Sequence, residues 1–351
     1  MPEIDEYIIK KEVIKLARNT PVALIVGVAG FLGSHLSESL LSQNIQVIGV
    51  DDFSGGKKDN LNDAVRDKNF HLINSSASDI RIDPERLDYI FIISEGGWSL
   101  QRLLNLASDF KSRIVLVTSI NLYAANIPEN LKWFKYAENH IASFAKQNNL
   151  NARILRLSAV YGPRMHFREE DPIVDLIQSA LLDELQKQPT SLDFSTRAIY
   201  VSDAVALIIK TIMKGYTAQK IFDGALPQPI KVSEAKEVLL DPVWHERRGF
   251  TPSALPPWQT PNLQKSISEL HWKPETNLVN GLKKTLAYFK ENEILPPSDP
   301  EPTLPKKQEY SVEDREEAEK IKKVTKKPKI EYKKAPLKFL QIIGIVLIFY
   351  G

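Results

Sequence analysis

The chain of 351 residues contains no cysteine. That absence excludes disulfides, thiolate metal sites and thiol nucleophiles together, and it fits a reducing compartment. With no such ligands, no metal site is expected. An excess of one charge sign is also missing: 46 Lys and Arg face 44 Asp and Glu, a net charge of +2. The chain as a whole therefore gives no electrostatic case for nucleic-acid binding. The N-terminal stretch MPEIDEYIIKKEVIKLARNT lacks the apolar core of a signal peptide and reads as a short amphipathic helix over 1–20. No internal repeat is visible. What is present is ordinary: 43% hydrophobic and 26% charged residues predict a core of normal size, in one large domain or two smaller ones.

Short apolar runs punctuate the first half. VALIV (22–26) is closed by Gly27, and QVIGVDD (46–52), HLIN (71–74), DYIFIIS (88–94), RIVLVTS (113–119) and ARILRLS (152–158) repeat the theme. Each reads as a buried strand. Helical spacing returns at 31–42, 99–109 and 131–147. Strands alternating with helices predict an α/β fold, a doubly wound parallel sheet of Rossmann type. After Tyr161 the alternation loosens and Pro becomes frequent, which suggests a smaller lobe over 161–293 interleaved with a core over 21–160. RAIYVSDAVALIIKTIM (197–213) still reads as strand then helix, and GLKKTLAYFKEN (281–292) as a last helix.

GVAGFLG (27–33) follows the first strand and opens a helix. Glycines at 27, 30 and 33 allow a tight turn and close approach of a pyrophosphate to helix N–H groups, here those of Phe31 and Leu32. Asp51 ends the second strand, 18 residues past Gly33. A carboxylate there can accept both ribose hydroxyls and repels a 2′-phosphate, so NAD is expected rather than NADP.

With these stretches, GVAGFLGSHL, VDDFSGGKKDNL, SASDI, VLVTSINLY, RLSAVYGPRMH, STRAIYVSDAV and LHWKPETNLVNGLKKTLAYF, the chain resembles the extended short-chain dehydrogenase/reductases, the NAD-dependent sugar-nucleotide epimerase/dehydratase family. YGPRMH and TRAIYVSD look most like its UDP-glucuronate decarboxylase branch. The resemblance implies a substrate lobe for a nucleotide sugar and a homodimer through a helix pair that includes 131–147. It gives Gly27, Gly30, Phe31, Leu32 and Gly33 to the pyrophosphate, Asp51 to the ribose, and Asp79 with Ile80 to the adenine. Ser119, four residues before Tyr123, matches the group that hydrogen-bonds the reacting sugar hydroxyl. Arg164 and Arg197 match substrate-binding arginines, although both also read as plain ion-pair partners.

The resemblance fails where the chemistry should be. Family turnover needs a Tyr base and, one helical turn later on the same face, a Lys. Those positions fall on Asn130 and Phe134 in NLKWFKYAENH (130–140). Tyr136 is a conceivable substitute, but it lies about 200° around a helix from position 134. Asn121 stands where the decarboxylase branch has a Glu, and Ala159 where an Asn precedes the YGPR loop. In the stretch between IISEGG and LLNLAS only about ten residues separate the strand from the helix, where relatives carry a longer loop.

Beyond 294 the composition changes. LPPSDPEPTLPKK opens a linker over 294–338. Nine Lys and one Glu fill the stretch from Lys320 to Lys338, and FLQIIGIVLIFYG (339–351) is apolar. A basic flank before an apolar run predicts the start of a membrane helix, with the domain at the cytoplasmic face. The run is shorter than the about 20 residues of a full span, so a surface anchor or a helix packed on the domain stays open. Three functions are compatible with all this: an NAD-binding, catalytically degenerate family member; an active epimerase, dehydratase or decarboxylase with a rearranged base; or a structural module of a membrane-associated polysaccharide system.

Overall fold

A computed structural model describes residues 19–75, 86–93, 100–124, 126–127, 131–167, 171–187, 195–215, 220–240 and 262–296. The expectations for the 1–20 helix, for Asp79, Ile80 and Asn130, and for the tail beyond 296 fall on residues outside this set.

Seven parallel strands form the central sheet: β1 (Val22–Val26), β2 (Gln46–Asp51), β3 (Phe70–Asn74), β4 (Tyr89–Ile92), β5 (Arg113–Ser119), β6 (Ala152–Leu157) and, much later in the chain, the strand Ile221–Gly224. Between these last two come the short strands β7 (Val160–Tyr161), β8 (Ser195–Thr196) and β9 (Ile199–Tyr200), so Ile221–Gly224 is β10, and β11 (Ile230–Lys231) follows. The order across the sheet is β10-β6-β5-β4-β1-β2-β3. Every residue of β1, β2 and β6 is buried, as expected when helices cover both faces. Alternation in β1 sorts its side chains: Ala23 and Ile25 join one core, Val22, Leu24 and Val26 the other.

The helices are α1 (Phe31–Ser42), α2 (Leu100–Asp109), α3 (Lys132–Asn148), α4 (Pro172–Leu181), α5 (Val201–Met213), α6 (Val232–Leu240), α7 (Leu263–Leu270) and α8 (Leu278–Glu291). Helices α2 and α3 supply the core on one face, α1 and α5 on the other. Residues from α4, α6 and α8 continue the α1/α5 core outward into the second half of the chain. That second half is tied back to the sheet by Asp203 on α5. Its carboxylate accepts the Glu275 and Thr276 N–H groups (2.9 and 3.1 Å), and its carbonyl accepts the Trp272 indole N–H (3.0 Å).

The chain runs from β1 out to β3 on one side, then returns past β1 to β4 and continues to β6 and β10. The order therefore reverses between β1 and β4. In open α/β sheets the crevice at the carboxyl ends of such strands is where ligands bind.

Candidate functional site

On the β1 side of this crevice, Gly27 has φ +84, a conformation that only glycine adopts without strain. The turn is pinned to the next strand: the Gly27 N–H donates to the Val50 carbonyl at 2.9 Å. A Cβ on Gly33 would overlap the Gly27 carbonyl and stand 2.8 Å from Val28 Cα, so α1 can start this close to β1 only with glycine there. Gly30 differs. Its φ of −72 suits any residue, and the tightest neighbour of an added Cβ is the Gly27 carbonyl at 3.3 Å. What a side chain at 30 would fill is the space before α1. The first N–H groups of α1, those of Phe31, Leu32 and Gly33, have no acceptor within the helix. No acidic side chain occupies its first turn. Such a helix start favours an anion over a cation.

Asp51, 5% exposed, ends β2 beside that turn. Its carboxylate accepts the Ala29 N–H and the Phe53 N–H, both at 2.8 Å. Each oxygen keeps a lone pair for a further donor, such as the hydroxyls of a diol. Burial raises the Asp51 pKa, against the two N–H bonds that lower it. The segment after β2 covers the turn: the Asn60 side-chain amide and the Lys57 N–H both donate to the Ala29 carbonyl (2.8 and 3.1 Å). Asn60 had no motif to reveal it.

Across the crevice, at the carboxyl ends of β5, β6 and β10, the structure brings together groups that spacing alone did not join. Glu138 on α3, 3% exposed, receives the Arg156 guanidinium of β6 on both oxygens (2.9 and 2.6 Å) and the Thr118 hydroxyl at 3.0 Å. The same guanidinium lies 4.4 Å from the centre of the Tyr123 ring. The Tyr123 hydroxyl donates to Asp223 of β10, 3.0 Å from each carboxylate oxygen. Asp223 also accepts the Asn262 N–H at 2.7 Å. Burial raises the Asp223 pKa, opposed by the Asn262, Tyr123 and Arg156 contacts. Burial, then the charge of Asp223, raises that of Tyr123. Alternating charges in a low-dielectric site neutralise one another here, so Arg156, Glu138 and Asp223 are already paired.

Ser119 ends β5 and caps the following turn, its Oγ accepting the Asn121 N–H at 3.1 Å. The Asn121 side chain is exposed. Phe134 is 6% exposed and Trp133 8%. Their rings meet edge to face, centroids 5.2 Å apart, within the core that also holds Leu122 and Leu131. Tyr136 stands beside His140, centroids 5.6 Å apart, and His140 bonds the Gln101 amide oxygen of α2 at 2.9 Å. Tyr136 is thus on the flank of α3 that adjoins α2.

Both expected substrate arginines are held by the protein itself. Arg164, at φ +68, forms a 2.7 Å ion pair with Glu38 of α1. The neighbouring Pro163 carbonyl accepts the His35 Nε2–H at 2.9 Å. The YGPR loop is therefore strapped to α1. Arg197 donates through Nη1 to the Leu226 and Pro227 carbonyls (2.5 and 2.6 Å). Its buried Nε bonds no described residue.

The family model for NAD dependent epimerase/dehydratase proteins matches residues 23–126, from β1 to the turn after β5. The chain is similar to this family over that segment. Among characterised relatives, UDP-glucuronic acid decarboxylase 1 of Danio rerio is 26% identical over 76% of this chain and 72% of its own length. UDP-glucuronic acid decarboxylase 3 of Arabidopsis thaliana is 25% identical over 74% and 86%. Among solved structures, UDP-glucuronic acid 4-epimerase from Bacillus cereus in complex with NAD superposes with a TM-score of 0.63 at 19% identity, covering 77% of this chain and 99% of that one. The dTDP-glucose 4,6-dehydratase of Bacillus anthracis in complex with NAD gives 0.63 at 17%, covering 78% and 98%. The chain thus shares the fold of these structures. Against that family pattern, α3 carries a buried Phe at 134, and only residues 93–99 connect β4 to α2.

Proposed function

We propose that this epimerase/dehydratase homologue binds NAD, takes a nucleotide sugar as second ligand, and does not complete hydride transfer. The residues fit the cofactor's phosphates and adenosine ribose: N–H groups without a helical acceptor at the start of α1, no side chain at Gly30, and lone pairs left on Asp51. NAD would supply a hydride acceptor, and the chain would have to supply the base. One observation carries the proposal of inactivity. Position 134, where the family pattern puts a Lys, is a Phe sealed in an apolar core with Trp133 and Leu122. Such a site neither holds a cation nor lowers a neighbouring acid's pKa.

An active enzyme with a rearranged base is the second reading. It is favoured by the Tyr123 hydroxyl on Asp223, four residues after Ser119. Against it, burial and the Asp223 charge both hold that phenol above its usual range, which is the wrong direction for a base.

The test is to denature the purified full chain, look for released NAD by mass spectrometry, and incubate intact protein with UDP- and dTDP-sugars. Bound NAD without sugar conversion is the expected result. Conversion of any sugar overturns the inactivity and turns attention to Tyr123. Absence of NAD, with none bound on titration, overturns the cofactor assignment and leaves a structural module.

Two further parts of the proposal are separable. The Lys-dense stretch and the apolar run after it are proposed to hold the domain at the cytoplasmic face of a membrane. Flotation with anionic vesicles, lost on truncation after residue 296, is the check. Among the described residues no helix is long and apolar enough to cross a membrane. The chain is also proposed to dimerise through α2 and α3. Trp133 and Phe134 face the core, so such an interface would use the exposed Asn139, Ala142 and Ser143, and sedimentation would detect it.

A further inference from the structure

Parallel strands all begin at one edge of a sheet. The connections into β5, β6 and β10, which are neighbours, therefore lie side by side at the end away from the crevice. With strands about 4.8 Å apart, three starts span about 10 Å. Backbone bonds fix them together: the Ile114 N–H donates to the Asn151 carbonyl (3.0 Å) and the Ile154 N–H to the Lys220 carbonyl (2.8 Å). Lys111 leads into β5, and Lys146 lies in the last turn of α3 before β6. Lys214 and Lys220 stand at the two ends of the connection from α5 to β10. Lys111, Lys146 and Lys220 are exposed and Lys214 is half-buried. The one acid in these connections or the helix turns that lead into them is Asp109, at the end of α2. Among the described residues, none of the four lysines has an ion pair. Before β3 and β4, by contrast, Arg66 pairs with Asp63 at 3.1 Å and Arg86 with Asp88 at 2.6 Å.

Two fixed cations lie beneath the lysines. Arg113, the first residue of β5, donates to the Ile212 and Met213 carbonyls (3.4 and 2.8 Å). Arg153 of β6, 1% exposed, donates to the Ile212, Lys214 and Gly215 carbonyls (3.4, 2.9 and 2.5 Å). Its Nε is buried and bonds no described residue. Burial, then the charge of Arg113, lowers the Arg153 pKa, and Glu269 opposes both. The carbonyl end of α5 carries about half a unit of negative charge, which offsets one cation in part and leaves the others.

Unpaired cations set in a row, and not gathered round one cavity, match an extended anionic surface better than a single small anion. The Lys-dense stretch after the domain has the same preference, and anionic headgroups attract each Lys that comes within a Debye length. Resting on the membrane reading above, we infer that the edge of the sheet where β5, β6 and β10 begin is the face that the domain lays on a bilayer of anionic lipid. Docked this way, the carboxyl ends of the strands point away from the bilayer. The start of α1 and Asp51 then stay open to ligands from solution.

The experiment floats the purified full chain with phosphatidylcholine vesicles and with vesicles that also contain phosphatidylglycerol. The triple variant Lys111→Gln, Lys146→Gln, Lys220→Gln is compared with Lys231→Gln, Lys284→Gln, Lys290→Gln. The latter removes three exposed lysines of β11 and α8 and the same charge. Binding only to the anionic vesicles is expected for wild type. The edge triple should bind at least about tenfold more weakly, each lysine at such a surface giving about fivefold, and the control triple within about threefold of wild type. The chain has no cysteine, so Gly215→Cys and Gly55→Cys can each carry a single fluorophore. A Cβ at either position meets nothing within 4 Å. A quencher carried by the lipid should quench the label at 215, on this edge, and spare the label at 55, beyond the carboxyl end of β2. Equal losses in the two triples, or quenching at 55 and not at 215, overturns the inference and leaves binding by the tail intact. Tighter retention on duplex DNA than on anionic vesicles, lost in the edge triple, gives the edge to nucleic acid and overturns the inference. Wild type that fails to float with anionic vesicles overturns the membrane reading and the inference with it.

Discussion

Gly30 and Gly33 look equivalent as letters and differ in what they do. At 33 the missing Cβ makes room for the protein's own backbone, 2.8 Å away at Val28 Cα. At 30 an added Cβ would press on the Gly27 carbonyl alone, at 3.3 Å, and φ is permissive. Gly33→Ala is therefore expected to lower the thermal midpoint by several degrees or prevent folding. Gly30→Val is expected to cost less stability than Gly33→Ala while abolishing nucleotide binding in calorimetry. Retained affinity in Gly30→Val would contradict the anion site. Asp51 is the other residue whose environment makes a prediction. Burial raises its pKa, so its ionised form is lost at a higher pH than that of an exposed Asp. An Asp that accepts two ribose hydroxyls must be ionised to do so fully. Nucleotide affinity is expected to fall on acidification, beginning at a higher pH than an exposed Asp would give. Asp51→Asn should bind more weakly at neutral pH and lose that dependence. An unchanged pH profile in the variant would remove Asp51 from the site.

Single elements are held by buried polar contacts that can be tested in the same way. Helix α3 is joined to β6 by Glu138 and Arg156 in a two-point ion pair, 3% and 7% exposed at their side chains. Arg156→Met leaves the Glu138 charge with only the Thr118 hydroxyl. Breaking one partner of a buried pair typically costs about 3–5 kcal/mol, and a urea midpoint would register it. Glu138→Gln in the same background should recover part of the loss, because no charge is then stranded. Helix α1 is joined to the YGPR loop by His35. Burial, with a smaller contribution from Arg164, lowers its pKa to about 4, against the Pro163 hydrogen bond that raises it. The folded value lies below the unfolded one of about 6.5, so the unfolded chain binds the proton more readily. The contribution to stability is full above 6.5 and is lost as pH falls toward 4. His35→Gln can still donate to Pro163 and does not titrate, so its stability should fall less across that window. The raised pKa values of Glu38, Asp51, Asp171 and Asp223 act with the opposite sign and are common to both proteins. Identical slopes for the two would refute the His35 role.

For the molecule as a whole, the described residues line the two sides of the crevice differently, with the α1 start and Asp51 on one and the Arg156–Glu138 pair and Tyr123–Asp223 bond on the other. Restoring the family pair by Asn130→Tyr with Phe134→Lys is expected to give no sugar-dependent NADH formation and a lower melting temperature. A Lys at 134 would enter an apolar core beside Trp133, where desolvation disfavours its charge. The connection from β4 to α2 also stays short. Sugar-dependent NADH formation by the double variant would show that side-chain identity alone separates this chain from its active relatives.

The sequence by itself determined the sheet and the turn. The runs at 22–26 and 113–119 coincide with β1 and β5, and the helical spacing at 31–42 with α1. Apolar periodicity is a local signal, and a strand buried on both faces has few other patterns open to it. Gly27 and Asp51 were legible for a related reason: a left-handed φ and a carboxylate at a strand end are written in single residues. Tertiary structure alone decided the rest. That Ile221–Gly224 is the seventh strand depends on pairing with β6, 67 positions earlier at the Phe222–Leu155 register, a partner no local pattern names. That Arg164 belongs to Glu38, Arg197 to the carbonyls of Leu226 and Pro227, and Tyr123 to Asp223 depends on which side chains meet across 100 residues or more in two of these cases and 29 or more in the other. Charged groups choose partners by distance in space and by the dielectric around them, and neither is a property of the chain's order.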